Sequence, residues 1–325
     1  MALLCSYPVL QVRPYGVLVY EHKEFSKNWD LKRDRQPKVV KGYTGILTPY
    51  SKKKLKRSIG LMVASAREKE APNFKTGRTY KFKVNFITFT LPALQEGIED
   101  KTIKRCLDNW IKRGKRKHKL NSYVWRAERQ ANGNIHFHMI TDVWIHYEKI
   151  RDDWNACLRE TGLVNKYKEK HSKISLTQYL KQYPPTTKIS KAARINAYKT
   201  GLATKWESPN STDVHAVWKV RNLTQYFVKY MSKAHKDGEA PIAGKIWDCS
   251  KNLKTKENCW MLLEGEVQEN FDYIMRRDEV ERITDPLFTI AFIPKEKWSQ
   301  YIGNKINSQW VEYLNRIRND CEEVR

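Results

Sequence analysis

Apolar and polar residues alternate over Ile135–Ile140, where Ile135, Phe137 and Met139 alternate with His136 and His138. Side chains two apart on a strand share a face. The pattern therefore predicts a strand with both imidazoles on one side and Phe137 turned into a core. Asn132-Gly133-Asn134 carries turn chemistry ahead of it. Asn121–Gln130 is also strand-like, so the two runs predict a hairpin over residues 122–145 that returns Glu128 beside the histidines. Further strand patterns cover residues 9–20 (broken at Pro14 and Gly16), Tyr80–Leu91 (ended by Pro92), Val214–Val220, Cys259–Leu263 and Phe288–Ile293, the last expected to be buried.

Helical spacing appears first over Ser51–Glu70, with Ser51 as cap. In Asp100–Lys112, Ile103, Cys106, Leu107, Trp110 and Ile111 keep the helical period, and in Tyr147–Thr161 Ile150, Trp154, Cys157 and Leu158 do so, with Gly162 near the end. Arg221–Lys236 places Leu223, Phe227, Val228 and Met231 on one stripe, with Asn222 as cap, and Trp298–Cys321 suggests a terminal helix. Residues 163–213, which include Pro184-Pro185 and many lysines and arginines, read as an irregular insertion between the patterned elements. There is no internal repeat.

Charge narrows the range of partners. The 325 residues carry a formal net charge of +25. Such an excess favours a polyanion through counterion release and long-range steering, and exceeds what solubility requires. Ribosomal, membrane-surface and DNA binding all fit it. Eleven Trp and seventeen Tyr add stacking surfaces of the kind single-stranded nucleic acid uses. Lys112, Arg113, Lys115, Arg116 and Lys117 fall in a dense basic run, Lys112–Lys119, expected as a loop; this is the strongest single candidate for a phosphate-backbone contact, a solvated loop being the alternative. Lys52, Lys53, Lys54, Lys56 and Arg57 crowd the start of a predicted helix, where cations oppose the macrodipole. A phosphate partner or plain solvation fits them equally.

Other classes drop away. The six cysteines form no Cys-x-x-Cys, which argues against a zinc ribbon and for reduced thiols in a cytoplasmic protein. The first residues lack the basic start and longer apolar stretch of a signal peptide, and no apolar run approaches bilayer-spanning length. Gly238 to Lys245 lacks the spacing of a phosphate-binding loop, so no fused helicase motor is visible.

The chemistry lies in two places. Glu128, His136 and His138 would offer one oxygen and two nitrogens, a set that suits Mg²⁺ or Mn²⁺ with positions left open for a phosphate. Tyr226 and Tyr230 are i and i+4 on a helix, hence neighbours, with Lys229 and Lys233 on the adjacent strip. Taken singly, each has a plainer reading: solvent-facing strand histidines, and a basic amphipathic helix with interfacial tyrosines.

Together, the His-x-His strand, the Glu before it and the later Tyr-x-x-Lys-Tyr resemble the HUH endonucleases, specifically the two-tyrosine rolling-circle replication initiators of single-stranded DNA phages. Phe86-Ile-Thr88-Phe-Thr90-Leu-Pro92 is similar to that family's N-terminal motif, and the motifs occur in the family's order. Conjugative relaxases place their tyrosines before the His pair. The resemblance covers about Lys81–Lys236. It implies an α+β fold: a central antiparallel sheet with flanking helices, here with N- and C-terminal extensions. The corresponding division is a basic region over residues 1–79, an endonuclease domain over 80–236 and a C-terminal region over 237–325.

It also implies metal-dependent nicking of single-stranded DNA at an origin. Tyr226 and Tyr230 would be nucleophiles and Lys229 a charge stabiliser, with a 5′-phosphotyrosine and a priming 3′-hydroxyl as products and later religation. Lys233 would contact DNA, and a host replication helicase and polymerase would be partners. A two-tyrosine transposase and a noncatalytic nucleic-acid-binding protein remain alternatives. The former is expected to carry a cysteine-rich zinc module, and none is visible.

Overall fold

The computed structural model describes residues 3–14, 16–25, 45–72, 77–187, 189–216, 223–232, 240–255 and 258–319. In chain order the elements begin with β1 (Leu3–Arg13), β2 (Gly16–Phe25), α1 (Pro49–Ser65), β3 (Lys69–Pro72), β4 (Thr79–Phe82) and β5 (Asn85–Phe89). Then come α2 (Asp100–His118), β6 (Tyr123–Arg129), β7 (Ile135–Thr141), α3 (Tyr147–Arg159), α4 (Leu163–Ser172), α5 (Leu176–Gln182), α6 (Lys191–Ala203), β8 (Thr212–Ala216) and α7 (Leu223–Met231). The chain closes with β9 (Trp247–Cys249), β10 (Cys259–Leu262), α8 (Gly265–Met275), β11 (Glu281–Asp285), β12 (Phe288–Phe292), α9 (Trp298–Tyr301) and α10 (Asn304–Asn319). The fold is α+β with antiparallel sheets and flanking helices, as expected. Two compact units form, one from Met1–Lys41 with Lys251–Arg325 and one from Gly42–Ser250. Among the described residues no helix is long and apolar enough to cross a membrane.

In the larger unit a five-stranded sheet runs in the order β8-β5-β7-β6-β9, with β7 at its centre. β6 and β7 form the expected hairpin, turning through Gly133 at φ +82°. Alternation along β7 sends Ile135, Phe137 and Met139 to one face, where they pack with Ile103, Leu107 and Trp110 of α2 and with Ile150 and Trp154 of α3. The opposite face carries His136, His138 and Ile140, and α1 and α7 lie over it. α1 packs against α7, β6 and β9, and the Cys249 thiol meets Ser58 of α1.

Local patterns and tertiary structure differ in three places in this unit. The strand expected over Tyr80–Leu91 is broken into β4, which pairs with β3, and β5, which joins the main sheet. The Lys69 ammonium donates to the Lys83 carbonyl and the Asn85 amide to the Val143 carbonyl, holding the bend. The basic run at Lys112–Lys119 is not a loop, because α2 continues to His118. Lysine and arginine are good helix formers, cations suit a helix C-terminus, and Asp153 of α3 binds Lys117 and His118 at 2.7 and 2.9 Å. Lys119 then ends the helix in the left-handed conformation at φ 55°.

The third difference is the insertion, which is helical. α4, α5 and α6 close around a box of Tyr167, His171, Tyr179, Tyr183, Tyr198 and Trp206. His171 is held by the Tyr167 carbonyl at 2.8 Å and the Tyr183 hydroxyl at 3.0 Å. Trp206 enters the box from a left-handed backbone at φ 58° and lies against Gly201, where a Cβ would meet its ring at 2.2 Å.

The smaller unit unites both chain ends in a second antiparallel sheet, ordered β10-β1-β2-β12-β11. β1 and β2 form the hairpin expected around Pro14 and Gly16. Gly16 is required there, since a Cβ would stand 2.0 Å from the Ala291 carbonyl oxygen. Phe288–Phe292, expected to be buried, is only half-buried except for Ala291, because its outer neighbour β11 is exposed throughout. The terminal helix is divided at Ile302-Gly303, where the Gly303 amide donates to Asn270 of α8.

Candidate metal and nucleophile site

Strand register assembles the site row by row. Thr88, His138 and Arg126 are cross-strand partners on β5, β7 and β6, and Glu128 is opposite His136 in the next row. All point to the face that α1 and α7 cover. The hairpin reading of residues 122–145 thus brings Glu128 to the histidines as expected. Each residue offers a ligand atom within 4.8 Å of the others. Glu128 Oε2 is 3.5 Å from Nε2 of both His136 and His138, close enough for attraction but too long for good hydrogen bonds.

Several polar atoms here lack partners. Both ring nitrogens of His136 and Oε1 of Glu128 are buried without a hydrogen bond. Leaving a buried polar group unsatisfied costs about 1–3 kcal/mol, and a cation among the three residues would remove that cost. His138 differs, because its Nδ1 is 3.1 Å from Thr88 Oγ1, which fixes the ring and leaves Nε2 facing Glu128. Burial opposes ionisation of Glu128, but the two imidazoles and the Arg126 guanidinium outweigh it, holding the carboxyl well below the usual carboxylate range. An ionised carboxylate and two imidazoles on a stiff sheet are a fitting donor set for a divalent ion.

Phe86 joins this trio to the tyrosines. Its ring stacks on His138 at 5.3 Å and on Phe227 at 5.7 Å, and lies 6.1 Å from the ring of Tyr230. Phe227 and Met231 are fully buried and seat α7 on the sheet. Tyr226 and Tyr230, one turn apart, have ring centroids at 4.8 Å. Tyr230 is 37% exposed. Burial, then the neighbouring Tyr230, raise the Tyr226 phenol above its ordinary value, so it stays protonated near neutral pH. Lys229 projects outward from the same helix and is exposed. Lys233 lies outside the described residues, as do His235 and the predicted cap Asn222.

Sequence reasoning missed Arg126. It is 5% exposed, its Nη1 donates to the Met231 carbonyl at 2.7 Å, and its Nε is 3.5 Å from Glu128 Oε1. One side chain therefore meets both the carboxylate of the trio and the C-terminal end of the tyrosine helix, where a cation is favoured. Its signal was a charged residue two positions before Glu128, on the same strand face. By contrast, Lys112, Arg113, Lys115, Arg116 and Lys117 belong to α2, on the other side of the sheet, and Arg113 and Lys117 are drawn to Asp153.

Residues 84–235 match the family of the replication-associated protein ORF2. The matched span begins just before β5 and passes the end of α7, so it contains Thr88, Glu128, both histidines and both tyrosines. The match is consistent with a rolling-circle replication initiator. No curated protein and no solved structure matches the chain.

Proposed function

We propose that this protein is a replication initiator that nicks single-stranded DNA at an origin through a tyrosine and later reseals it. One observation carries the reading. Phe86 touches both His138 and Tyr230, so a metal-ligand trio and a pair of phenols meet on one sheet face. In this reading Glu128, His136 and His138 hold Mg²⁺ or Mn²⁺, and the ion when bound polarises the non-bridging oxygens of the scissile phosphate.

The chain's own residues do the rest. A tyrosine Oη attacks phosphorus, the Oη–P bond forms as the P–O3′ bond breaks, the phenol loses its proton and O3′ gains one. The products are a 5′-phosphotyrosine and a free 3′-hydroxyl. One phosphodiester replaces another, so the bond energy is kept for resealing. Lys229 stabilises the charge that accumulates during attack. The second phenol serves the second strand transfer while the first is occupied. Residues 80–236 carry this chemistry, and Lys112, Arg113, Lys115, Arg116, Lys117 and Lys233 supply further backbone contacts. A host helicase and polymerase then extend the freed 3′ end.

Covalent trapping on single-stranded oligonucleotides with Mn²⁺ tests the proposal. Wild type should form an adduct that mass spectrometry locates on Tyr226 or Tyr230. The Tyr226→Phe, Tyr230→Phe double variant should form none, and His136→Ala, His138→Ala should lose Mn²⁺-dependent nicking while still binding DNA. An adduct that persists in the double tyrosine variant removes these nucleophiles. No adduct from wild type on any single strand leaves the noncatalytic reading.

A further inference from the structure

We infer that the outward side of α1 is a track for the backbone of single-stranded DNA beside the tyrosine helix, an inference that rests on the nicking reading for its choice of nucleic acid. α1 turns Leu55, Ile59 and Met62 inward, each fully buried, and packs against α7, β6 and β9. It therefore shares a layer with Tyr226 and Tyr230. Its other side presents Lys53, Lys54 and Lys56, all exposed, with Lys52 half-buried beside them. None of these four forms an ion pair with the described residues. No acidic residue stands in the first turn, so the cations oppose the helix dipole without compensation.

A second feature points to the kind of partner. Tyr50, in the same first turn, is 68% exposed, and the Lys54 ammonium is 4.5 Å from the centre of its ring. Single strands are bound by cations that follow the phosphates and by exposed rings on which bases stack, and this surface offers both. The basic end of α2 provides the contrast. It lies on the far side of the sheet, and Asp153 holds Arg113, Lys117 and His118 at 3.9, 2.7 and 2.9 Å. Of the two basic clusters, the one on α1 combines unpaired lysines with a place next to the phenols.

The test measures binding of the full chain to fluorescein-labelled oligo(dT) by anisotropy across a NaCl series, with no divalent ion present. The Lys53→Gln, Lys54→Gln, Lys56→Gln variant should lower the slope of log affinity against log salt by about 2, at roughly 0.7 per phosphate contact. Tyr50→Ala should weaken binding about tenfold, whereas Tyr50→Phe should change it little. The triple variant should also unfold at a slightly higher temperature, because cations are removed from a helix N-terminus.

Wild-type affinity and slope in a folded triple variant overturn the proposal, as does a loss confined to duplex DNA. If the triple variant does not fold, Lys53→Gln and Lys56→Gln singly should each lower the slope by about 0.7, and an unchanged slope in both overturns it. The two readings fail separately. Normal binding by the Tyr226→Phe, Tyr230→Phe variant beside weakened binding by the α1 variant supports the track. Wild-type protein that binds through α1 yet never forms an adduct overturns the nicking reading alone.

Discussion

Thr88 shows how one hydroxyl acts at a distance of one side chain. With His138 Nδ1 held at 3.1 Å by Thr88, the lone pair of Nε2 is directed at Glu128 and away from the sheet. His136 has no such partner on either nitrogen, so the two imidazoles are not equivalent. Partners of this kind are worth about 10–100-fold in metal affinity. Thr88→Val keeps the shape and removes the hydroxyl. Calorimetric titration with Mn²⁺ should show affinity lower by about that factor, with the unfolding midpoint nearly unchanged. Equal affinity in the variant would exclude Thr88 from the site.

At the scale of elements, two helical features depend on single residues. Arg126 ties the end of α7 to β6 through the Met231 carbonyl. Arg126→Lys shortens the reach and removes the fork, and should cost about 1.5–3 kcal/mol, the worth of a charged hydrogen bond. Urea unfolding would read that loss, and amide exchange should quicken over residues 223–231. If exchange there stays at the wild-type rate, Arg126 does not anchor the tyrosine helix. In the insertion, Gly201 makes room for Trp206, whose ring would be 2.2 Å from a Cβ. Neither partner can yield easily, because Trp206 is 3% exposed and fixed in a left-handed turn. Gly201→Ala should therefore cost at least the usual penalty of overpacking, about 1–3 kcal/mol, and should shift tryptophan emission to the red. A variant with unchanged emission and stability would show that the box rearranges.

For the whole molecule, the acid limb of stability is set by two carboxylates in the larger unit. Burial opposes ionisation of Asp100, but the Ala243 amide, Gln95 and Arg129 hold its carboxyl below the ordinary value. Burial likewise opposes ionisation of Asp153, and Lys117 and His118 outweigh it. A carboxyl depressed in the folded state stabilises above its unfolded pKa, and that contribution is lost as pH falls through the folded one. The thermal midpoint should thus fall as the pH drops below about 4, and the fall should be shallower in Asp100→Asn and in Asp153→Asn. An identical acid limb in both variants would contradict the assignment. The net charge of +25 acts in the same range: protonating carboxylates adds positive charge and self-repulsion, so added salt should recover part of the loss.

Period-two alternation and turn residues by themselves determined that Glu128, His136 and His138 meet, because a hairpin is local and its register follows from the turn. Helical spacing likewise determined that Tyr226 and Tyr230 are neighbours. Local pattern states which face a side chain takes on its own element, and nothing about what covers that face. Tertiary structure alone decided that Phe86 lies between His138 and Tyr230, and that Arg126 reaches a carbonyl 105 residues away. It also decided that the lysines of α1 lie beside the phenols while those of α2 lie behind the sheet, since strand order separates the two layers. The insertion was illegible for a related reason: its helices are held by an aromatic box drawn from residues 167–206, and no single helix carries a strong stripe. The pairing of β1 with β10 joins residues from opposite ends of the chain, and only the packed sheet specifies such a partner.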